Sequence, residues 1–544
     1  MKNKKVTYAI MFIAVLIIIA LVIRFLNPKS TDDDKPQDVT DQNVDDTSKD
    51  TTDNDDSDAT DENSDDVDEA NLILPEDIIV TTPSLNDSQD TALFKISNLS
   101  TIDFNGIVHI QPNGDSSSTE EYPIVVKAGT EKEQIKLTAG KGDIISMVDN
   151  EGNTFLEPYE LGSRVWVGTW ASAQQGLDSR RGEYPPAPGL HYNTLRQVVR
   201  ISVGGNQLRL TFSNEYGRSP LEINSVHISR HYEQAKSIIF PAYDTPVTFN
   251  GGSESVIIPA GQVATSDVID FEARDLERIA ISTYFGAVPE IITSHTGSRT
   301  TSYLATGNQV SEAGLPDALK FDFWYFISQM DILTSPKNKA IVALGDSTTD
   351  GRGVRNNYDD RWTDILAERL LENESTRHIS VLNQGIGGNS IFGGLGPAAY
   401  KRFGRDVLEQ PGVAYAIVFE GINDIGYTTS LGLVDQIIDK YKSFADQAHA
   451  KGIKIYGATI TPFGEFKDYY SDEHGELREQ IRQEINAWIR DNEYFDGVID
   501  FDEALRDKDN PKILAKEYSS DGLHPNVAGY QKMGEVIDLS LFED

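Results

Sequence analysis

Four short polar segments hold the residue types best suited to acyl transfer. "GDSTTDG" carries Ser347, "NQGIGGNS" carries Asn383, Gly385 and Gly388, "EGIND" carries Gly421, Asn423 and Asp424, and "SDGLHPN" carries Asp521 and His524. A serine hydroxyl is a poor nucleophile at neutral pH until a neighbouring base takes its proton. His524 is the candidate base: of the 9 histidines it alone precedes a proline in a loop beside a paired acid. Asp521, three residues earlier, can orient the imidazole and stabilise its cation. A tetrahedral intermediate also needs donors aimed at its oxyanion, and the Ser347 and Gly388 backbone N–H groups with the Asn423 amide can supply them. Each segment has a plainer reading, since glycine loops turn chains, Asn-Asp pairs initiate turns and Asp-x-x-His-Pro can cap a helix. Their common position at the ends of apolar runs favours the chemical one. No pair of carboxylates suited to glycoside cleavage presents itself.

Those segments need a frame. From Lys339 onward strand-like runs alternate with helical ones: "AIVALG", "HISVLNQG", "VAYAIVFEG", "IKIYGATITPF" and "GVIDFDEAL" are the candidate strands. Between and after them come "DDRWTDILAERLLEN", "VDQIIDKYKSFADQAHAKG", "LREQIRQEINAWIRDN" and a final helix "VAGYQKMGEVIDLSLF". Five apolar strands with intervening helices predict a three-layer, parallel, doubly wound α/β domain over 337–544. In such sheets the site lies off the carboxyl ends of the strands, where all four segments fall.

Upstream the period changes to two. Residues 72–160 read as a small β-sandwich built from runs such as "ALFKISNLS" and "DIISMVD". Residues 161–336 read as a larger sandwich or jelly roll, with "RVWVGTWAS", "LRQVVRISV" and "NQLRLTFSNE" among its strands. Trp166, Trp170 and Tyr192 could form a sugar-stacking surface there, although aromatics in β regions are more often core.

Composition bounds the rest. At 544 residues the chain is too long for one core, and a formal charge of −38 argues against any partner held through phosphates, so nucleic acid is excluded. There is no cysteine, which removes disulfides, thiolate metal sites and a cysteine nucleophile. Residues 1–27 read as an N-terminal membrane anchor: Lys2, Lys4 and Lys5 precede an apolar run from Val6 to Ile23. The positive flank places the remainder of the chain outside the cell. A cleaved signal peptide is the rival reading, but no small-x-small site follows the run. Residues 28–71 form an acidic linker; Thr31 to Ala70 holds 18 acidic residues and two lysines, a composition that cannot build a core. A calcium tract would need a glycine turn and fixed ligand spacing, and neither is present.

The four blocks together resemble the SGNH, or GDSL-type, hydrolases, whose Ser, Gly, Asn and His match Ser347, Gly388, Asn423 and His524, with Asp521 at the family's paired acid. "WVGTWASAQ" and "RQVVRISVGGNQLRLTFSNEYG" look similar to an N-terminal β region of a secreted bacterial subgroup. The resemblance implies a flavodoxin-like three-layer hydrolase domain preceded by two all-β domains. It implies a serine esterase with Ser347, Asp521 and His524 catalytic, an oxyanion hole of Ser347, Gly388 and Asn423, and no metal or cofactor. Carbohydrate O-acyl esters, small or polysaccharide, are the favoured substrates; a lipase or lysophospholipase, an acyltransferase, and a non-catalytic surface-binding protein are the alternatives.

Overall fold

The apolar run that ends at the serine becomes the second strand of a five-stranded sheet in the computed structural model, which describes residues 77–81, 83–85, 90–162, 164–178 and 189–543. The strands are β1 (Lys339–Gly345), β2 (Ile379–Gly385), β3 (Val413–Phe419), β4 (Lys454–Ala458) and β5 (Gly497–Ile499), ordered β2-β1-β3-β4-β5. All pairings are parallel, which is the flavodoxin-like order. The helices that matter to the site are α1 (Ser347–Asp350), α2 (Trp362–Glu372), α3 (Ile422–Gly426), α4 (Leu433–His449), α5 (Gly475–Arg490) and α6 (Val527–Val536). β1 is apolar throughout because both its faces are covered. Ile341 and Ala343 join α2 and α6 residues such as Trp362 and Tyr530, whereas Val342 and Leu344 face Phe444 of α4 and Ile485 of α5.

Helix limits follow from local chemistry. In α4, Leu433, Ile437, Tyr441, Phe444 and Ala448 recur at three- and four-residue spacing and are buried, and the chain turns away at Gly452, whose φ is +72°. The last helix is shorter than its apolar pattern suggests. α6 ends at Val536, where Arg369 donates to the Gly534 and Ile537 carbonyls, and Asp538 caps a new 3₁₀ turn over Leu539–Phe542. Similarly "GVIDFDEAL" divides into β5 and the helix Phe501–Leu505, because the Asp500 carboxylate accepts from the Glu503 N–H.

The two expected all-β regions are present. Ile78–Val80, Ser84–Leu85, Thr91–Asn98 and Thr130–Thr138 form one antiparallel sheet; Phe104–Gln111, Glu120–Val126, Ile144–Asp149 and Thr154–Glu160 form another. They share a core around Phe94, Val108 and Met147. Between Val165 and Thr334 the described strands make antiparallel sheets of seven, five and three strands. Its core runs without interruption into that of the α/β region, joining Phe212, Ile281 and Met330 to Leu344 and Leu382. The strand Val165–Ala171 lies along β2: Ser380 Oγ donates to the Gly168 carbonyl (2.5 Å) and Ser202 Oγ to that of Val381 (2.8 Å). Trp170 is part of this core, packed edge-on against Trp324 at 5.0 Å, and Trp166 lies under the Arg209 guanidinium. Of the expected sugar-stacking trio only Tyr192 is well exposed, because the other two rings cover the sheet.

The expectation of a single-pass membrane protein is corrected. Among the described residues no helix is long and apolar enough to cross a membrane. Among the described residues apolar stretches such as β1 are short strands, and the longer helices α4 and α5 each carry a charged face. The anchor expected over 1–27 and the acidic linker expected over 28–71 lie outside the described residues.

Candidate active site

β1 ends at Gly345, and the chain reverses into α1 within one residue. Asp346 caps that turn, its carboxylate accepting the Thr348 N–H at 2.9 Å, and Gly351 closes it with φ of +98°. Ser347 is thereby presented at the carboxyl edge of the sheet. Asn383, at the end of β2, braces the turn from behind: its amide donates to the Thr349 carbonyl (2.6 Å) and to Thr363 (2.9 Å). Gly385 lies so close that a Cβ would sit 2.3 Å from the Asp350 nitrogen, so only glycine fits.

The loop before α6 brings His524 to the serine. Ser347 Oγ and His524 Nε2 are 2.9 Å apart, and His524 Nδ1 lies 2.8 Å from Asp521 Oδ2. Asp521 Oδ1 also accepts the His524 and Leu523 backbone N–H groups (2.8 and 3.1 Å), which fixes the loop that carries both residues. The cap of α6 is Asn526, whose side chain accepts from Gly529, so Asp521 and His524 are not needed as helix caps. Burial pushes the His524 imidazole below its ordinary value despite the pull of Asp521. Burial alone would raise the Asp521 carboxyl, but bonds from the His524 backbone and ring hold it below the usual range. A neutral imidazole beside an ionised carboxylate can accept a proton from Ser347 at neutral pH.

Besides the Ser347 N–H, two oxyanion candidates lie beyond the carboxyl ends of neighbouring strands. Gly388, with φ of +72°, and Asn423, in α3, follow the ends of β2 and β3. Asn423 Nδ2 donates to the Asn389 carbonyl at 2.7 Å, and its Oδ1 accepts from the Tyr469 hydroxyl at 2.6 Å. Because a carbonyl can only accept, the amide is held with its nitrogen towards the glycine loop and with a second N–H to spare. Asp424 has a bracing role, its two oxygens accepting the Ile391 and Phe392 N–H groups (2.8 and 3.1 Å).

Residues with no local sequence signature complete the site. Arg402 is fully buried under it and donates to the carbonyls of Gly345 and Gln384, to Asn389 and to Glu420, so one guanidinium ties together the ends of β1, β2 and β3. Two carboxyls near it, Asp346 and Glu420, are pushed towards the neutral form. Burial lifts Asp346 to about 7, and burial together with the Asp346 charge raises Glu420. Tyr469 and Arg402 belong to segments without turn or strand-end signals, and only the fold brings them to the site. Among the described residues no group of three or more His, Cys, Asp or Glu could hold a metal ion.

Residues 343–532 match the family model described as GDSL-like lipase/acylhydrolase. Among solved structures, a GDSL-like lipase from Bacteroides thetaiotaomicron is 21% identical over 38% of this chain and 88% of its own, with a TM-score of 0.29. An acetyl xylan esterase is 23% identical over 36% of this chain and 96% of its own, with a TM-score of 0.28. An acetylxylan esterase from Geobacillus stearothermophilus, as a catalytic mutant, is 16% identical over 37% and 93%, also at 0.28. No curated protein matches the sequence.

Proposed function

From the premise that residues 343–532 belong to the GDSL-like lipase/acylhydrolase family and make the chain a carboxylic ester hydrolase, we propose that Ser347, His524 and Asp521 act as its catalytic triad. The observation that carries this is the continuous relay from Ser347 Oγ to His524 to Asp521, with contacts of 2.9 and 2.8 Å. His524 Nε2 takes the serine proton as Oγ attacks the ester carbonyl carbon. The negative oxygen that forms is met by the Ser347 and Gly388 N–H groups and by the spare Asn423 N–H. Collapse of the intermediate breaks the bond to the alcohol, which leaves with the proton from His524, and Ser347 retains the acyl group. Water then attacks the acyl-enzyme, His524 again accepting a proton, and the acid is released. An acyltransferase would use the same steps with a second alcohol in place of water.

The substrates proposed are short O-acyl esters of carbohydrates. Supporting this, Phe392 and Tyr427 are exposed aromatic rings beside the oxyanion loops, and Tyr427 packs edge-on against Tyr469 (5.2 Å), offering flat faces to a sugar ring. Leu395, exposed and close over Gly388, favours a second reading in which a longer acyl chain lies along this rim, as in a lipase. Purified protein is assayed on nitrophenyl esters of rising chain length, on acetylated xylan and on phospholipid. Fastest turnover of acetyl esters supports the carbohydrate reading; a preference rising with chain length supports the lipase one. In the same assays Ser347→Ala should lose at least about three orders of magnitude in rate. Residual full turnover, with an organophosphonate labelling another serine, would refute the triad.

A further inference from the structure

Asp350, three residues after Ser347, turns its carboxylate away from the candidate site and into the β region. Asp350 Oδ1 lies 2.8 Å from His295 Nε2, and Asp350 Oδ2 accepts from Arg299 at 2.8 Å. His295 is the last residue of the strand Ile291–His295, which pairs with Gln175–Asp178, and both it and Asp350 are buried. The other ring nitrogen of His295 faces the Ala173 carbonyl at 2.9 Å. The ring thus bridges the Ala173 carbonyl and the Asp350 carboxylate and ties Asp350 to the β region.

The grip extends to the backbone. Arg361, at the start of α2, donates to the Asp350 carbonyl (2.9 Å) and to the Ser298 carbonyl (2.6 Å). The Asn357 N–H donates to the Arg299 carbonyl (2.7 Å), and the Asn357 side chain accepts from the Thr301 N–H (2.8 Å). Gly297 packs closely on the same carboxylate, since a Cβ there would fall 2.1 Å from Asp350 Oδ2. α1 is a single turn of four residues, so its direction is set more by these contacts than by its own hydrogen bonds.

We propose that His295 and Arg299 are positioning residues for the Ser347 nucleophile, acting through Asp350, so that the β region is a working part of the hydrolase centre. The proposal rests on Ser347 being the nucleophile. Rotation of α1 about its short axis moves Oγ relative to His524 and the oxyanion donors, and a displacement of about 1 Å can cost about 10²-fold in rate. The proposed oxyanion donors at Gly388 and Asn423 are not among the groups that hold the Asp350 carboxylate, so KM should change little.

The test uses the full chain carrying Arg299→Ala, Arg299→Lys, His295→Ala or His295→Gln. Measured are kcat and KM on nitrophenyl acetate, the rate constant for organophosphonate labelling of Ser347, and the melting temperature. Expected is a fall of roughly 10-fold or more in both kcat and labelling rate for Arg299→Ala, with KM within about twofold and partial recovery in Arg299→Lys. His295→Gln, which keeps one donor, should lie between His295→Ala and the unaltered protein. If His295→Ala does not fold, Arg299→Ala decides the matter, since that side chain is 26% exposed and its loss leaves no cavity in a closed core. Unchanged kcat and labelling rates in folded Arg299→Ala would overturn the proposal and leave the contact as interdomain adhesion. Labelling of the unaltered protein at a serine other than Ser347 would overturn the triad, and this proposal with it.

Discussion

Asn423→Ala separates transition-state stabilisation from the turn-forming role that an Asn-Asp pair also permits. The Asn423 amide spends one N–H on the Asn389 carbonyl (2.7 Å) and holds its oxygen against the Tyr469 hydroxyl (2.6 Å), leaving one N–H for an oxyanion. Loss of one such donor is worth about 2.7–4 kcal/mol, or roughly 10²–10³ in kcat, with little effect on KM. Tyr469→Phe removes the bond that orients the amide while keeping the ring in place. A neutral hydrogen bond contributes about 0.5–1.5 kcal/mol, so kcat should fall roughly 2- to 13-fold if the whole of that energy serves orientation. The two changes then form a cycle. In the Asn423→Ala background the tyrosine has no amide to orient, so adding Tyr469→Phe should cost almost nothing further. Steady-state kinetics on nitrophenyl acetate with parallel thermal melts provides the readout. A Tyr469→Phe loss that persists undiminished in the Asn423→Ala background would refute the orienting role. An Asn423→Ala protein with normal kcat and a much lower melting temperature would show that the residue serves the turn alone.

Two further outcomes follow from the relay. Asp521→Asn should retain measurable activity that His524→Ala lacks, because the carboxylate orients the ring and does not itself carry the proton; full activity in Asp521→Asn would remove it from the triad. For the pH profile, burial places the His524 ring below 6.5, and only the neutral ring accepts a proton, so kcat/KM should rise with pH and level off with a midpoint below that value. A midpoint above 6.5 would contradict the burial argument.

The parts of the fold that were legible in the sequence are those whose residues report their own surroundings. β1 reads as buried because it is covered on both faces, and α4 reads as amphipathic because one face is covered. The polar ends of β1, β2 and β3 stood out because glycine, asparagine and acids interrupt apolar runs there. Legibility failed where a distant partner decides. The apolar pattern after Val527 continues to Phe542, yet the helix ends at Val536 because Arg369, from α2, captures its terminal carbonyls. Trp166 and Trp170 carry the signature of a binding surface and of a core equally well; only the packing of Trp324 and Arg209 upon them decides. Arg402, Tyr469, His295 and Arg299 lie in segments that look ordinary, since a buried cation or hydroxyl is defined by what lies opposite it. The expected membrane segment rests on an apolar run behind three lysines, and among the described residues no helix is long and apolar enough to cross a membrane.

Ser347 and His524 are 177 residues apart in the chain. At a synthesis rate of roughly 5–20 residues per second, the serine leaves the ribosome about ten to thirty-five seconds before its base. The strands Gln175–Asp178 and Trp324–Tyr325, which flank Ile291–His295, are both made before β1, so the sheet bearing His295 can be standing when Asp350 arrives. Under the proposed triad, Ser347 emerges onto a finished support and would stay chemically silent until the last loop is delivered. On that reading a nascent or prematurely stopped chain would be folded over most of its length and yet cleave no ester, and hydrolysis would be confined to molecules whose synthesis has run past His524.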